Sequence, residues 1–453
     1  MAPFIRSVLE QVKGEVAEVL SQQNIEQICR ELGYVWRQST LDPATTVHAF
    51  LRQVLAGNTA CDDVPHLTGL DVTGEAYCKA RARLPEELFQ RLMQAVAQAA
   101  IQSDEAAARW RDHRLWHLDG SGCSMPDTPE LQQAFGQSGM QKPGCGFPVA
   151  HLLTLFHATS GLLMRMVSSP LRTHDMGQVH RVHEALEPND VVVGDRGFCS
   201  YAHLALLGMA GVFALFRVHQ RTIVDFRKRR PVRPPRASRK GRRTTGLPSS
   251  RWVKSLGKHD QIVEYFKPVQ RPEWMSREDF ARLPASVLVR ELRYRVTQRG
   301  LRVREVTVVT TLLDTDLYPA ADIRELYRQR WEIETNLRHL KQTLHMDVLR
   351  TKTLAGIHKE LAMFAIVYNL VRLIMLRSAK RQGVAVNRIS FIDGQRWLCH
   401  AQSKSPLRKL AIVPDRPNRY EPRAKKRRAK EYDLMSKPRQ QLKQALIRKQ
   451  LTS

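Results

Sequence analysis

Residues 327–341, YRQRWEIETNLRHLK, are the stretch that says most about which fold this chain adopts. Four of its side chains recur at helical spacing: Tyr327, Arg330, Glu334 and Lys341. At about 100° per residue, their offsets place them within an arc of roughly 60° on one face of an α-helix. A solvated face with ion pairs such as Arg330 with Glu334 explains the charges, but not why Tyr327 and Lys341 share the arc. The stretch therefore predicts a helical face that presents a phenol, two cations and a carboxylate.

Two aspartates upstream each close a short apolar run. Asp119 ends LWHLD and is followed by Gly120, and Asp195 ends VVVGD, with Gly197 close behind. A carboxylate at the end of a strand is held rigidly and remains open to ligands. Each aspartate alone is typical of an ordinary turn. Two of them on strands of one predicted sheet favour a site for a hard divalent cation such as Mg²⁺, which prefers oxygen ligands.

Apolar patterning around these aspartates predicts an α/β sheet with helices on its faces. Residues 115–217 are expected to form strand, strand, strand, helix, strand, helix and strand, with a hairpin at Ser160-Gly161. A second hairpin is expected around Arg299-Gly300, and long helices over residues 321–344 and 356–378. The sequence therefore predicts a mixed sheet whose strands carry the two aspartates.

The net charge of +28 is concentrated in two segments. Residues 227–243 hold ten basic residues and no acid, and residues 401–453 hold sixteen basic and four acidic residues. Residues 1–110 are instead slightly acidic, with ten basic and fourteen acidic residues. Clustered positive charge favours a polyanionic partner. Nucleic acid is the expected partner, and an anionic membrane surface is the alternative.

Cysteine usage and apolar segments predict a soluble cytoplasmic protein, and binding to DNA would associate it with the nucleoid. The seven cysteines include no C-x-x-C pair and match no zinc spacing, so reduced thiols are expected. The N-terminus lacks the apolar core of a signal peptide. The most apolar stretch, residues 361–376, is short for a bilayer span and contains Asn369 and Arg372. No membrane association is expected.

The spaced motif Tyr-x2-Arg-x3-Glu-x6-Lys at residues 327–341 resembles the signature of the insertion-sequence-four family of DDE transposases. The segments WHLDGSG around Asp119 and VVVGDRGF around Asp195 are similar to the other two catalytic blocks of that family. Residues 420–430, YEPRAKKRRAK, are similar to its C-terminal region. The similar blocks extend from about residue 115 to residue 430, whereas residues 1–110 match only loosely.

This resemblance implies an RNase H-like mixed sheet flanked by helices and interrupted by a β-rich insertion, and apolar residues at helical spacing in residues 1–110 predict a helical N-terminal domain. Patterning and resemblance together divide the chain into five parts: a helical and candidate DNA-binding domain at 1–110, the first part of the catalytic core at 111–217, a β-rich insertion with a basic Arg/Pro loop at 218–315, the second part of the core with the catalytic Glu at 316–385, and a basic C-terminal region at 386–453. Within residues 1–110, the segment 74–84 is a candidate recognition helix, with Lys79, Arg81 and Arg83 reaching DNA. A solvated charged face is the alternative.

The resemblance also implies the roles of individual residues. Asp119, Asp195 and Glu334 are expected to bind two Mg²⁺ or Mn²⁺ ions. Contacts to DNA are expected from five residues: Tyr327, Arg330, Trp331, Lys341 and Arg196. Trp331 is implied to stack on a base that is flipped out of the duplex, although the residues alone favour a core tryptophan.

The implied activity is that of a transposase that cuts the ends of an insertion sequence and joins them to target DNA, through metal-dependent hydrolysis and transesterification. Its partners would be the terminal inverted repeats, the target DNA and a second copy of the chain in the DNA complex. One alternative is a catalytically inactive, DNA-binding derivative of such an enzyme. A basic RNA-binding or ribosome-associated protein explains the charge but not the three carboxylates.

Overall fold

The computed structural model describes residues 3–103, 109–139, 141–142, 144–173, 175–219, 222–235, 248–296, 305–400 and 402–414, with single positions at 437, 441, 444 and 445. Part of the basic Arg/Pro loop and nearly all of the basic C-terminal region, including residues 420–430, lie outside the described residues.

The N-terminal part is helical, as predicted. Its helices are α1 Pro3–Val12, α2 Gly14–Val19, α3 Gln22–Glu31, α4 Pro43–Leu55, α5 Val64–Thr68, α6 Gly74–Arg83 and α7 Glu86–Gln102. Helices α1 and α2 are separate because Lys13 and Gly14 between them both adopt positive φ, of 51° and 61°. Asp42 begins α4 by accepting the amide N–H of Thr45 at 2.7 Å.

Helix α6 presents only part of its predicted basic face. Arg81 is turned inward, where it donates a 2.9 Å hydrogen bond to Gln53 and lies 4.5 Å from the ring centre of Phe50. Lys79 is exposed and forms an ion pair with Glu75 at 2.6 Å. Arg81 therefore stabilises the packing of α6 and is not part of an exposed basic face.

Among the described residues, nine strands form one mixed sheet. They are β1 Leu115–Ser124, β2 Val149–His157, β3 Leu163–Pro170, β4 Val191–Gly194, β5 Phe213–Arg217, β6 Ser250–Gly257, β7 Asp260–Phe266, β8 Ser286–Arg295 and β9 Glu305–Thr310. The order is β3-β2-β1-β4-β5-β9-β8-β7-β6. Strand β2 pairs antiparallel with both β1 and β3, and β4 and β5 run parallel to β1. This arrangement confirms the predicted RNase H-like fold class.

The β-rich insertion continues the same sheet. Strand β9 pairs antiparallel with β5, and β8, β7 and β6 follow outward in antiparallel order. The hairpin predicted around Arg299-Gly300 corresponds to β8 and β9, and residues 297–304 at its turn lie outside the described residues. The insertion strands thus lie beside the strands that carry the two aspartates.

Helices cover both faces of the sheet. They are α8 Pro129–Phe135, α9 Val179–His183, α10 Tyr201–Met209, α11 Arg277–Arg282, α12 Ala320–Gln329, α13 Glu332–Arg338, α14 Leu354–Gln382 and α15 Phe391–His400. The sequence patterns did not predict α8. Helix α14 packs between the N-terminal helices and the sheet, and it contributes to the core cluster that contains both.

The polar residues of α14 explain how so apolar a helix docks. Asn369 accepts the amide N–H of Leu163 at 2.8 Å and donates to its carbonyl at 2.9 Å. Arg372 donates to the carbonyl of Ser160 at 3.1 Å. By length and composition α14 could cross a membrane, but 94% of its most apolar window is buried inside the protein. Such burial is typical of a core helix, and no membrane is indicated.

Candidate active site

Asp119 and Asp195 directly follow the paired residues Leu118 and Gly194 of two parallel strands. Leu118 is the register partner of Gly194, and each aspartate is the next residue along its own strand. Because adjacent strands lie about 4.8 Å apart, the two carboxylates are brought together. The sequence predicted that strand β1 ends at Asp119, but the strand continues to Ser124 through pairing with β2. Asp119 therefore lies within a strand, and Asp195 directly follows one.

Local hydrogen bonds orient both carboxylates. Asp119 Oδ1 accepts the amide N–H of Gly120 at 2.9 Å, and Asp195 Oδ1 accepts that of Gly197 at 2.7 Å. The hydroxyl of Thr154 on β2 donates to the backbone carbonyl of Asp119 at 2.9 Å. The glycines that looked like turn residues therefore supply amide donors to the site.

The helix predicted over residues 321–344 consists of three consecutive helical segments. Helix α12 ends at Gln329, α13 begins at Glu332, and a π-helical turn, His339–Thr343, follows it. A π-helical turn changes the face on which later side chains lie. The arc calculated for an ideal helix is therefore only approximate for Lys341.

Arg330, at the junction of α12 and α13, links the carboxylates of two elements. Its Nη1 lies 3.7 Å from Asp119 Oδ2, and its Nη2 lies 3.3 Å from Glu334 Oε1. The side chain of Arg330 is 11% exposed, that of Asp119 20% and that of Glu334 48%. The guanidinium lies 5.9 Å from the ring centre of Tyr327, which is buried. Tyr327, which the resemblance implied as a DNA contact, is instead buried and packs beside the guanidinium of Arg330.

An open cleft of about 520 Å³ lies beside Asp119 and Glu334. Its lining includes the predicted residues Asp119, Glu334 and Lys341. It also includes Arg338 and Asp347, which the sequence analysis missed. Arg338 follows Glu334 by one helical turn, so the helical spacing could have found it. Asp347 reaches the cleft because its carbonyl accepts the amide N–H of Ser124 at 3.0 Å, a contact without a local sequence signal.

The remaining candidates are not part of the cleft lining, namely Asp195, Arg196, Tyr327, Arg330 and Trp331. Trp331 is 52% exposed, with the Arg330 guanidinium 5.8 Å from its ring centre, so it is not the core residue that the sequence pattern alone favoured. Arg196 is exposed and directly follows Asp195. Glu332 points away from the cleft, where its carboxylate accepts a 2.8 Å hydrogen bond from Asn387.

Burial and neighbouring charges perturb the titration of the site. Burial, reinforced by the charges of Asp195 and Glu334 and opposed by that of Arg330, raises the pKa of Asp119 to about 6. Two residues before Asp119, burial and the charge of Arg330 lower the pKa of His117 to about 3. Neither ring nitrogen of His117 has a hydrogen-bond partner among the described residues. His117 is therefore neutral on the same strand as Asp119, next to a site that concentrates negative charge.

The donor chemistry of the site suits a divalent metal. Asp119, Asp195 and Glu334 offer hard carboxylate oxygens. Within the described ranges, no three His, Cys, Asp or Glu side chains already lie close enough to hold one ion. The cation that balances the charge is Arg330, which contacts both Asp119 and Glu334. The half-exposed Glu334 has room to move, so the residues fit a metal if Arg330 gives up one of these contacts.

A family model described as a transposase DDE domain matches residues 110–370, a range that contains all three carboxylates. The chain belongs to the DDE transposases. It is 25% identical over 391 residues to the transposase InsG for insertion sequence element IS4 of Escherichia coli (strain K12), covering 82% of this chain and 80% of that protein. The resemblance inferred from the spaced motif is thus confirmed, and this DDE transposase is that of an insertion sequence.

A shorter similarity joins this transposase to the probable transposase for insertion sequence element IS5377 of Geobacillus stearothermophilus. The two are 32% identical over 89 residues, which cover 20% of this chain and 23% of that protein. Among solved structures, the piggyBac transposase synaptic complex with hairpin DNA aligns over 88% of this chain and 80% of that one, with 10% identity and a TM-score of 0.41.

Proposed function

We propose that this transposase cuts the ends of its own element and joins them to target DNA, with Asp119, Asp195 and Glu334 holding two Mg²⁺ or Mn²⁺ ions. The observation that carries the proposal is the meeting of Asp119 with Asp195 on adjacent parallel strands. Glu334 lines the same cleft as Asp119, and Arg330 contacts both. Two ions bound there would activate the attacking oxygen and stabilise the leaving oxygen of a phosphodiester.

The protein's own groups orient the reaction and attract its substrate. The hydrogen bonds from Gly120 and Gly197 hold the two aspartates in place. Arg330 limits repulsion among the carboxylates before metal and DNA arrive, and it is then close enough to contact a phosphate near the cut bond. Lys341 and Arg338 place positive charge along the cleft wall. A DNA backbone is the polyanion that such a wall would attract.

The exposed Trp331 extends this surface with a flat aromatic face. Its indole is half exposed beside Arg330, so it can stack on a base that leaves the duplex during strand processing. Tyr327 acts through Arg330, because its ring is buried beneath that guanidinium. Arg196, which is exposed next to Asp195, would contact DNA there.

The substrates of this reaction are the terminal inverted repeats of the element and a target duplex, with two copies of the chain in the DNA complex. The clustered positive charge of residues 227–243 and 401–453 supports DNA as the partner. A catalytically inactive derivative is not favoured, because the chain retains all three carboxylates around one site. Such a protein is expected in the cytoplasm, on the nucleoid when bound to DNA.

A strand-nicking assay tests the proposal. The substrate is a plasmid that carries the DNA flanking the gene, where inverted repeats would mark the element ends. Nicking is expected with Mg²⁺ or Mn²⁺, not in EDTA, and not with Asp195→Asn. Asp316→Asn, which changes an exposed aspartate in the loop after β9, is the matched control and should nick normally. Nicking that persists in EDTA or in Asp195→Asn would exclude this mechanism.

A further inference from the structure

Two cysteines of the N-terminal helices lie side by side near the surface. Cys61 begins a short 3₁₀-helical turn, Cys61–Asp63, here called the Cys61 turn, and Cys78 lies on α6. The turn packs directly on the first residue of α6, because a Cβ added to Gly74 would lie 2.7 Å from the Cα of Asp62. Cys78 follows Gly74 by four residues, so it lies on the same face of α6, one helical turn further along. This packing brings Cys78 next to Cys61.

The two thiols meet at the edge of a polar cluster. The Cys61 thiol lies within hydrogen-bonding reach of the Cys78 thiol and of the Gln53 side chain on α4. Gln53 also accepts hydrogen bonds from two residues of α6, Tyr77 at 2.8 Å and Arg81 at 2.9 Å. These bonds fix the position of α6 relative to the Cys61 turn, so the two sulfur atoms stay close together.

Solvent reaches the two thiols to different extents. Cys78 is exposed, whereas Cys61 is partly buried. Burial raises the pKa of the Cys61 thiol, and the positive charge of Arg81 opposes that rise. Exposure and a nearby cation are features of reactive cysteines. Cys78 is therefore the thiol that a dissolved oxidant reaches first, and Cys61 is the thiol placed to react second.

We propose that Cys61 and Cys78 are a modification site, at which a small-molecule disulfide such as oxidised glutathione forms a reversible disulfide bond. The Cys78 thiolate attacks one sulfur of the oxidant, whose S–S bond breaks, and a glutathione thiolate leaves. The Cys61 thiol then loses its proton to that thiolate, and its sulfur attacks the sulfur of Cys78 and releases the second glutathione. The protein thus loses two hydrogen atoms, and the oxidant gains them.

The structure shows the reduced form of this pair. All seven cysteines lie in the described part of the chain, and each is a free thiol. A disulfide requires Cβ atoms roughly 3.5–4.5 Å apart, a spacing that two neighbouring thiols reach through a small movement of the Cys61 turn. The new bond would join that turn covalently to α6, beside the exposed Lys79. The reaction needs neither DNA nor metal, so the inference does not depend on the proposed function.

Counting the free thiols of the full chain tests the proposal. Reduced protein is incubated with oxidised glutathione in EDTA, denatured and alkylated with iodoacetamide, and its peptides are identified by mass spectrometry. The wild-type protein should lose two of its seven alkylatable thiols, and the peptides that contain Cys61 and Cys78 should be found joined. Dithiothreitol should restore all seven thiols.

Serine variants separate the two steps of the reaction. Cys78→Ser should keep all its remaining thiols, because the attacking thiolate is gone. Cys61→Ser should instead accumulate glutathione on Cys78, because the second thiol is missing. Cys399→Ser is the matched control, since Cys399 Sγ donates to the carbonyl of Leu55 at 3.3 Å and a serine hydroxyl can keep that bond. It should form the same disulfide as the wild type, and circular dichroism melting verifies that each variant folds.

Glutathione that stays on Cys78 in the wild-type protein would overturn the proposal, because Cys61 would then be too distant to displace it. Disulfide-linked dimers on non-reducing gels, in place of the internal bond, would also overturn it. So would equal loss of thiols in Cys78→Ser and wild type, because the oxidant would then be reacting with other cysteines. Failure of this assay leaves the proposed function intact, and failure of the nicking assay leaves this proposal intact.

Discussion

Replacing Glu334 by glutamine removes one negative charge from the cleft while the side chain keeps its size. Glu334 is 48% exposed, and its ion pair with Arg330 spans 3.3 Å. A partly exposed pair of this kind contributes at most about 1 kcal/mol to the free energy of unfolding. Arg330 retains its contact with Asp119 in the variant. The structure therefore predicts little loss of stability from Glu334→Gln.

The expected loss of cleavage is much larger. Removing a single neutral hydrogen-bond donor from an active site lowers kcat by roughly 100- to 1,000-fold. A charged ligand to two divalent ions stabilises more transition-state charge than such a donor does. We expect Mg²⁺-dependent nicking to fall by about 1,000-fold or more, which is about 4 kcal/mol at 1.36 kcal/mol per factor of ten.

Glu332→Gln is the matched control for this change. Glu332 lies two positions away, but its carboxylate binds Asn387 outside the cleft, and burial raises its pKa. A glutamine can still accept that hydrogen bond, so nicking should stay close to wild type. Single-turnover nicking rates, DNA affinity in EDTA and melting temperature would be measured for both variants. Loss of nicking in Glu332→Gln with retention in Glu334→Gln would refute the assignment, together with the roles given to Arg330 and Lys341.

Three further outcomes are expected. The Trp331→Ala variant should have the wild-type melting temperature and nick the first strand normally, but it should not form the hairpin at the element end, as resolved on denaturing gels. If the variant loses both stability and all cleavage, Trp331 has a structural role. Deleting residues 415–453 should flatten the slope of log affinity against log salt, and an unchanged slope would mean that the tail does not bind DNA. Burial lowers the pKa values of His183 and His203, whose Nε2 atoms are 3.0 Å apart, to about 3 and about 4. Because histidines in the unfolded chain titrate near 6.5, acid protonates the unfolded state first and so favours it. The denaturant concentration at the unfolding midpoint should therefore be highest above about pH 6.5 and fall towards pH 4. A midpoint that does not change over this range would contradict the prediction.

Much of the core could be predicted because its signals are local. The strand at Val191–Gly194, the hairpin at Ser160-Gly161 and the helical spacing around Glu334 each depend on residues that are neighbours in sequence. The resemblance then joined these blocks into one expected site. The roles of the site residues and the boundaries of the domains stay predictions.

Other features depended on distant partners. Residues 120–124, GSGCS, are typical of a turn, yet they continue β1 because β2 supplies hydrogen bonds as far as the pair Ser124 and Val149. Trp331 suited a core position by composition, but the junction between α12 and α13 leaves it half exposed. The loop after β5 contacts β7 and β8 through Gln261 and Arg293, and no spacing in the sequence predicts these contacts.

The sequence by itself determined an α/β sheet with helices on its faces and the basic segments, because periodicity and charge are properties of the chain's order. The family resemblance added the RNase H-like class and the three candidate carboxylates. Only the tertiary structure decided that Arg330 contacts both Asp119 and Glu334, that Arg81 turns inward, and that the insertion strands extend the catalytic sheet. The physical reason is that strand pairing and ion-pair partners are selected by packing between segments far apart in sequence.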